Sequence, residues 1–228
     1  MATIAQLRKG LAATTVPDDV AAALLKGASP LWLSSDTAPQ LAEDLALCHP
    51  PLNPKEVRAR AVAGDDLWRL TVVAHDRKGL LSDTAAILAT HNYSVRSASV
   101  ATWGDLNLAL HSITMAGPGP SDAELDEIGN DLRAAKRSAF RFSPTGRAYV
   151  QRTGDANGDP MISVVAPDQP WLLAAICRFL SKGGASIQAA WITGEEEAND
   201  VFVVRGKVDV AGLERHLSIE ESLIEQAR

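Results

Sequence analysis

The chain repeats itself. Shifted by 92 residues and laid over itself without a gap, LTVVAHDRKGLLSDTAAILATHNYSVRSASV from Leu70 falls on ISVVAPDQPWLLAAICRFLSKGGASIQAAWI from Ile162. Identical pairs include Val72/Val164, Val73/Val165, Ala74/Ala166, Asp76/Asp168, Leu80/Leu172, Leu81/Leu173, Leu88/Leu180, Ser94/Ser186, Ala98/Ala190 and Asn107/Asn199. Where identity fails the apolar pattern survives, as at Ile87/Phe179 and Val95/Ile187. Self-similarity at one fixed offset is the mark of a duplicated structural unit. In 228 residues it implies two small domains rather than one large one.

Each copy reads element by element. Residues 67–75 are short, apolar and β-branched, and Asp-Arg-Lys-Gly stops them: a strand and a turn. From Gly79 onward Leu80, Leu81, Thr84, Ile87, Leu88 and His91 line one face of a helix, and Leu172, Leu173, Ile176, Phe179 and Leu180 repeat that face. Residues 93–103 alternate as a strand. Gly104-Asp105 is a hairpin turn, and Leu106, Leu108 and Leu110 give a further strand with one apolar face. Ser121-Asp-Ala-Glu124 is a capping box ahead of Leu125, Ile128 and Leu132. A last short strand at 147–152 completes a βαββαβ order, before a turn-rich stretch from Thr153 to Pro160.

The second copy yields strands at 161–166, 185–193 and 199–204 around a helix at 171–182. A helical region follows from about 209, with a further capping box at Ser218-Ile-Glu-Glu221. No fourth strand is visible before Arg228, so the second sheet is expected to be one strand short or to borrow one. Right-handed crossovers put the helices on one face of each antiparallel sheet. Sheet pairing or a dimer is expected to cover the other face.

The first sixty residues differ. Short helices are expected at 4–13, 18–25 and 37–47, with Pro17, Pro30 and Pro39 as breaks. His49-Pro-Pro-Leu-Asn-Pro54 reads as a stiff link, and residues 55–62 as an edge strand. The expected organisation is a helical extension at 1–63, a first unit at 64–158 and a second at 159–228. The fold class is α+β: tandem ferredoxin-like βαββαβ domains, helices on one sheet face, and a mainly helical N-terminal extension.

Composition excludes several functions. The net charge of −6 gives no attraction to phosphate or anionic lipid, so neither nucleic acid nor membrane is an expected partner. No run approaches the length of a membrane span, and Arg8-Lys9 interrupts the N-terminus where a secretory signal needs an apolar stretch. Cys48 and Cys177 are two distant thiols, which suits a reducing cytoplasm. The chain has no phosphate-binding loop, nucleophile elbow, C-x-x-C pair or metalloprotease motif. The histidines show no tight metal-ligand spacing. No catalytic residue, metal or cofactor is expected.

The D-R-K-G-L-L-S-D turn after an apolar strand, opening a helix and leading to the strand around Val95, resembles the ACT domain. That resemblance implies a small regulatory module that binds amino acids or related metabolites, commonly at a site between two modules. Two such units in tandem, preceded by Leu31-Trp-Leu-Ser34, resemble the C-terminal regulatory part of bacterial PII uridylyltransferases, nitrogen-status enzymes that respond to glutamine. The carboxylate and His-Asp metal motifs of their catalytic domains are missing. The implied protein is a non-catalytic amino-acid sensor, with glutamine as the suggested ligand, that signals to a protein partner or forms a homodimer. The alternative is an oligomerisation or interaction module without a small ligand.

A free amino acid needs donors for its carboxylate and an acceptor for its ammonium. The helix start near Gly79 presents unpaired amides at the positive end of a helix dipole. Asp76 supplies the negative charge or, alternatively, caps the helix. The candidate binding residues are Asp76, Arg77, Gly79, Leu80, Leu81 and Asn107 in the first copy. In the second they are Asp168, Leu172 and Asn199. Trp171 stands where the first copy has Gly79. It is expected to plug a degenerate second site; the competing reading has its indole stacking on a ligand or on the other module.

Overall fold

The computed structural model describes residues 2–219 apart from 65, 118, 135–139, 157 and 195. Four helices lead: α1 (Ile4–Leu11), α2 (Asp18–Gly27), the single turn α3 (Pro30–Leu33) and α4 (Ala38–Ala46). Two units of one design follow. The first contains β1 (Val57–Ala63), β2 (Leu67–His75), α5 (Leu80–Thr90), β3 (Ser94–Trp103), β4 (Leu108–Ala116) and α6 (Asp122–Arg133). The second contains β5 (Tyr149–Ala156), β6 (Asp159–Pro167), α7 (Leu172–Lys182), β7 (Ser186–Thr193), β8 (Glu197–Arg205) and α8 (Val210–Leu217). The capping box of α6 forms as expected, Ser121 and Glu124 each satisfying the other's backbone N–H. Asp209 caps α8 by accepting from the Gly212 N–H at 2.8 Å. The capping box expected at 218–221 extends beyond the described residues.

The tandem ferredoxin-like α+β architecture is present, with one correction to strand order. The strand expected to close the first sheet is β5, and it pairs with β6 from Tyr149↔Val165 to Ala156↔Asp159. The turn-rich stretch before Pro160 is therefore the tip of a hairpin. β1 pairs with β2 in the same way, Val57↔Ala74 to Ala63↔Trp68. Each unit thus runs ββαββα, the ferredoxin order with its last strand moved to the front, and the second sheet lacks no strand. The physical reason is loop closure. A hairpin loop of a few residues costs far less entropy than a pairing with β2 more than seventy residues back.

The eight strands make one sheet, in the order β1-β2-β4-β3-β7-β8-β6-β5. The join is β3 against β7, antiparallel, with Ser97↔Thr193, Ala98↔Ile192 and Ser99↔Trp191 in register. Ser99 and Trp191 are equivalent positions, 92 residues apart, so a pseudo-twofold axis passes between them. The helix layer obeys the same axis: α5 packs on α7, and the Ser82 hydroxyl reaches the Ala174 carbonyl at 3.5 Å, again 92 residues away.

One sheet face carries α5–α8. Leu70, Val72, Ile113 and Met115 from the first unit join Ile162, Val164, Phe202 and Val204 from the second in a single core. The other face is covered over the first unit by α1–α4. Leu7, Leu24, Trp32, Leu41 and Leu45 pack on Val73, Ala101, Trp103 and Leu110. The cover is therefore supplied by the N-terminal helices, not by stacking of the two sheets. Over the second unit the same face is open enough to leave Tyr149 57% and Trp191 36% exposed.

A buried carboxylate fixes that cover. Asp44 of α4 is 0% exposed. It accepts hydrogen bonds from Thr71 Oγ1 at 2.8 Å and Ser112 Oγ at 2.9 Å, which are cross-strand partners on β2 and β4. Arg69 and Arg60 neutralise it. A carboxylate so enclosed is stable only while its partners stay, and removing it leaves the Thr71 and Ser112 hydroxyls without their acceptor and Arg69 and Arg60 with only Asp36 and Glu43. Asp44→Ala is expected to lower unfolding free energy by about 3–5 kcal/mol in urea denaturation, whereas Asp18→Ala on the exposed start of α2 should cost well under about 1 kcal/mol.

Candidate ligand sites at the seam between the repeats

Each unit places a strand-to-helix turn beside the start of the other unit's second strand. The first turn, at the end of β2, brings Asp76, Arg77, Gly79, Leu80 and Leu81 against Ala185, Ser186 and Ile187. The second, at the end of β6, brings Asp168, Leu172, Leu173 and Ala174 against Ser94, Val95 and Arg96. Both turns enclose cavities, of about 180 Å³ at the first and about 350 Å³ at the second. Only the second lies within the ordinary size range for small-molecule sites.

The turns are built alike. Gly79 has φ 81° and ψ 6°, and Trp171 has φ 73° and ψ −3°. Both are left-handed, and neither gives its helix a side-chain cap. The Leu80 and Leu172 N–H groups close the turns on the Arg77 and Gln169 carbonyls at 3.1 and 3.2 Å, which leaves the amides of Leu81 and Ser82 in α5 and of Leu173 and Ala174 in α7 for a carboxylate. Asp76 does not cap α5. Its N–H donates to the Asn107 carbonyl at 3.0 Å, and the Asp168 N–H donates likewise to Glu196 at 3.1 Å. A left-handed tryptophan is a strained choice. Its indole packs edge-on against Phe140, with ring centroids 6.0 Å apart, and a cavity remains beside it. Trp171 therefore lines the second site without plugging it.

Of the residues expected to bind, Asp76, Arg77, Gly79, Leu80 and Leu81 line the first cavity, and Asp168 and Leu172 the second. Asn107 and Asn199 line neither. Asn107 sits in the β3–β4 turn beside His75, and the Asn199 carbonyl accepts from Thr193 Oγ1 at 2.8 Å. Their identity on the 92-residue diagonal is accidental, because the β7–β8 hairpin, strand end and turn together, is three residues shorter than the β3–β4 hairpin. In space β4 corresponds to β8 at an offset of 89, which makes Asn107 the counterpart of Glu196.

That offset exposes two residues the sequence reading missed. His111 lies opposite Val72, and Asp200 opposite Val164; they are equivalent, 2% and 1% exposed, and each lines its unit's cavity. A signal for Asp200 existed: Ala198, Asp200, Phe202 and Val204 share one strand face, and one member of that apolar row is charged. Arg96 was missed too. It sits at a β-bulge in β3, matched by Gln188 at the bulge of β7, and bulges re-aim side chains.

Charge distinguishes the sites. Arg77 is held by Asp83 at 2.6 Å. His111 meets Thr84 Oγ1 at 3.2 Å, and burial, then Arg77, pushes its pKa down to about 4. The first site thus carries a neutral imidazole. In the second, burial pushes Asp200 up to about 8, opposed by the Thr193 N–H and reinforced by Asp168. Asp168 is itself raised by burial, with Arg96 opposing. Gly194 lets the Asp168 carboxylate close on β7: a Cβ there would lie 2.9 Å from Oδ2.

Residues 68–123 match the family model of the ACT domain. The chain is also 26% identical over 222 residues to the bifunctional uridylyltransferase/uridylyl-removing enzyme of Chromobacterium violaceum, a match covering 88% of this chain and 26% of that enzyme. The chain thus spans about a quarter of the curated relative it matches. Among solved structures, aspartate kinase from Synechocystis aligns at 14% identity and TM-score 0.40, covering 72% of this chain and 27% of that one. A protein from Galdieria sulphuraria aligns at 17% and 0.26, covering 61% and 80%. Among the described residues no helix is long and apolar enough to cross a membrane.

Away from the cavities, His91 at the end of α5 meets Glu127 and Asp131, one turn apart on α6, with ligand atoms within 4.8 Å of one another. Sequence spacing could not show this group, because packing of α5 on α6 assembles it.

Two measurements test this geometry. Gly79→Ala has room for its methyl group, with Ser181 Oγ 3.8 Å away, so its cost is the left-handed backbone alone, about 1–2 kcal/mol in urea denaturation. Neutral His111 binds fewer protons folded than unfolded between about pH 4 and 6.5, so its contribution to stability is lost as pH falls through that window. His111→Gln should flatten that part of the stability–pH curve.

Proposed function

We propose that the chain is a non-catalytic regulatory module that binds a free amino acid in the seam between its repeats and passes that state to a protein partner. The observation that supports this most is the second cavity. Uncapped amides at the start of α7 stand on one side, Arg96 comes from the other repeat, and the Asp168 carboxylate lies at the strand end. The ligand's carboxylate takes the amides and the guanidinium, and Asp168 faces its ammonium. Arg96 makes no direct ion pair among the described residues, so its charge is available. A ligand there touches both repeats and couples occupancy to their relative position. Glutamine is the first candidate, on the resemblance to nitrogen-sensing uridylyltransferases, and cytoplasmic placement follows from the same resemblance and the unpaired thiols.

One observation favours interaction as a further role. Tyr149 and Trp191 are exposed on the sheet face that α1–α4 leave uncovered, a place where a partner or second copy docks.

Calorimetry and thermal melting with each common amino acid test the reading. A ligand at a hundredfold over its Kd should add about 2.7 kcal/mol of stability. Arg96→Ala should weaken binding about tenfold or more while the unliganded melting temperature changes little. Absence of any response to millimolar amino acids would contradict the reading.

A further inference from the structure

The two cavities occupy equivalent places but have different floors. Where the first has the His111 imidazole, the second has the Asp200 carboxyl, 1% exposed in an otherwise apolar row. A buried carboxyl is costly in its charged form unless a cation or several donors meet it. Among the described residues Asp200 has one hydrogen-bond donor, the Thr193 N–H, 3.3 Å from Oδ1. Four other ionisable groups surround it: Asp168 at the end of β6, Arg96 from β3 and Tyr93 just before β3 across the cavity, and Cys177 on α7. None of them forms an ion pair with it. The fold thus keeps an acid in the floor of a cavity with no ion-pair partner among the described residues, and the open side of that cavity is where a ligand enters.

We propose that Asp200 is the specificity-determining residue of the second cavity, taking the ligand's ammonium together with Asp168 and so confining this site to molecules with a free amine. This rests on the reading of the seam cavities as amino-acid sites. The first cavity, with neutral His111 in the same position, lacks that selection.

Proton release follows. With a pKa of about 8, Asp200 is mainly protonated at neutral pH in the empty protein. An arriving ammonium favours the carboxylate, so the carboxyl gives its proton to solvent and the ion pair forms: one proton leaves for each ligand bound. Affinity therefore rises with pH, by up to about tenfold per unit below about pH 8, and levels off above it. Asp168 is also raised by burial, opposed by the charge of Arg96. The Cys177 thiol is raised well above its ordinary value by burial and stays protonated throughout.

The test is calorimetry on the full chain with each proteinogenic amino acid, and with the N-acetyl derivative of any that binds, in buffers of differing ionisation enthalpy near neutral pH. The wild-type chain should release close to one proton per amino acid bound at the second site, and the N-acetyl derivative should bind tenfold or more weakly. Asp200→Asn should lose tenfold or more in affinity, together with the proton release and the pH slope, while its melting temperature does not fall. His111→Asn should leave that release unchanged. Wild-type binding without proton release, or equal binding of the N-acetyl derivative, would overturn the proposal without any variant. Loss of binding in Arg96→Ala but not in Asp200→Asn would overturn it while leaving the seam reading intact. Failure of every amino acid to bind the wild-type chain would end both.

Discussion

Three residue pairs between β3 and β7 turn two four-stranded sheets into one. Strand edges are liabilities, since their unpaired amides and carbonyls seek partners. Here each repeat's inner edge satisfies the other's. Because the paired strands are copies of one another, the join obeys the twofold relation of the duplication: Ser99 meets Trp191, and Ser82 meets Ala174. Everything of functional interest follows from that relation. It sets each repeat's turn against the other repeat's second strand, and it makes both cavities compound, with helix amides from one copy and bulge residues from the other.

The duplication was legible to the residue over the strand and helix that flank each turn. β2 and β6, and α5 and α7, have matching bounds at the 92-residue offset. Legibility ended where the copies differ in length. The β3–β4 link passes through a turn of 3₁₀ helix and a left-handed Asn107, whereas β7 and β8 are joined more tightly. The diagonal then slips by three residues, pairs Asn107 falsely with Asn199, and hides the equivalence of His111 and Asp200. The edge strands were visible, but periodicity does not name a strand's partner. β5 reads equally well as the end of one sheet or the start of the next, and hairpin proximity decides. The role of the N-terminal helices was hidden for a similar reason: their apolar faces were plain, but their target, a sheet face held through Asp44, is a tertiary fact.

Trp171 shows how a strained position misleads. A bulky side chain in place of glycine suggests a blocked site, because volume is what the sequence displays. The backbone keeps the left-handed turn regardless, and the indole leaves along a direction set by Phe140. The second site is the roomier of the two and holds the charge chemistry. Duplication permits this divergence: the first copy supplies Arg96 where the second has Gln188, and the second supplies the buried Asp200 where the first has His111.

The central claim is that an amino acid occupies the cavity shared by α7 and β3. Backbone amide resonances of the isotopically labelled chain, followed during titration with glutamine and then with other amino acids, test it most directly. The account predicts that the largest shifts fall on Leu173, Ala174, Thr193 and Asp200, with smaller ones at Val95 and Arg96 across the seam. Shifts confined to α1–α4 or to the outer strands β1 and β5, or no shifts at millimolar ligand, would contradict it.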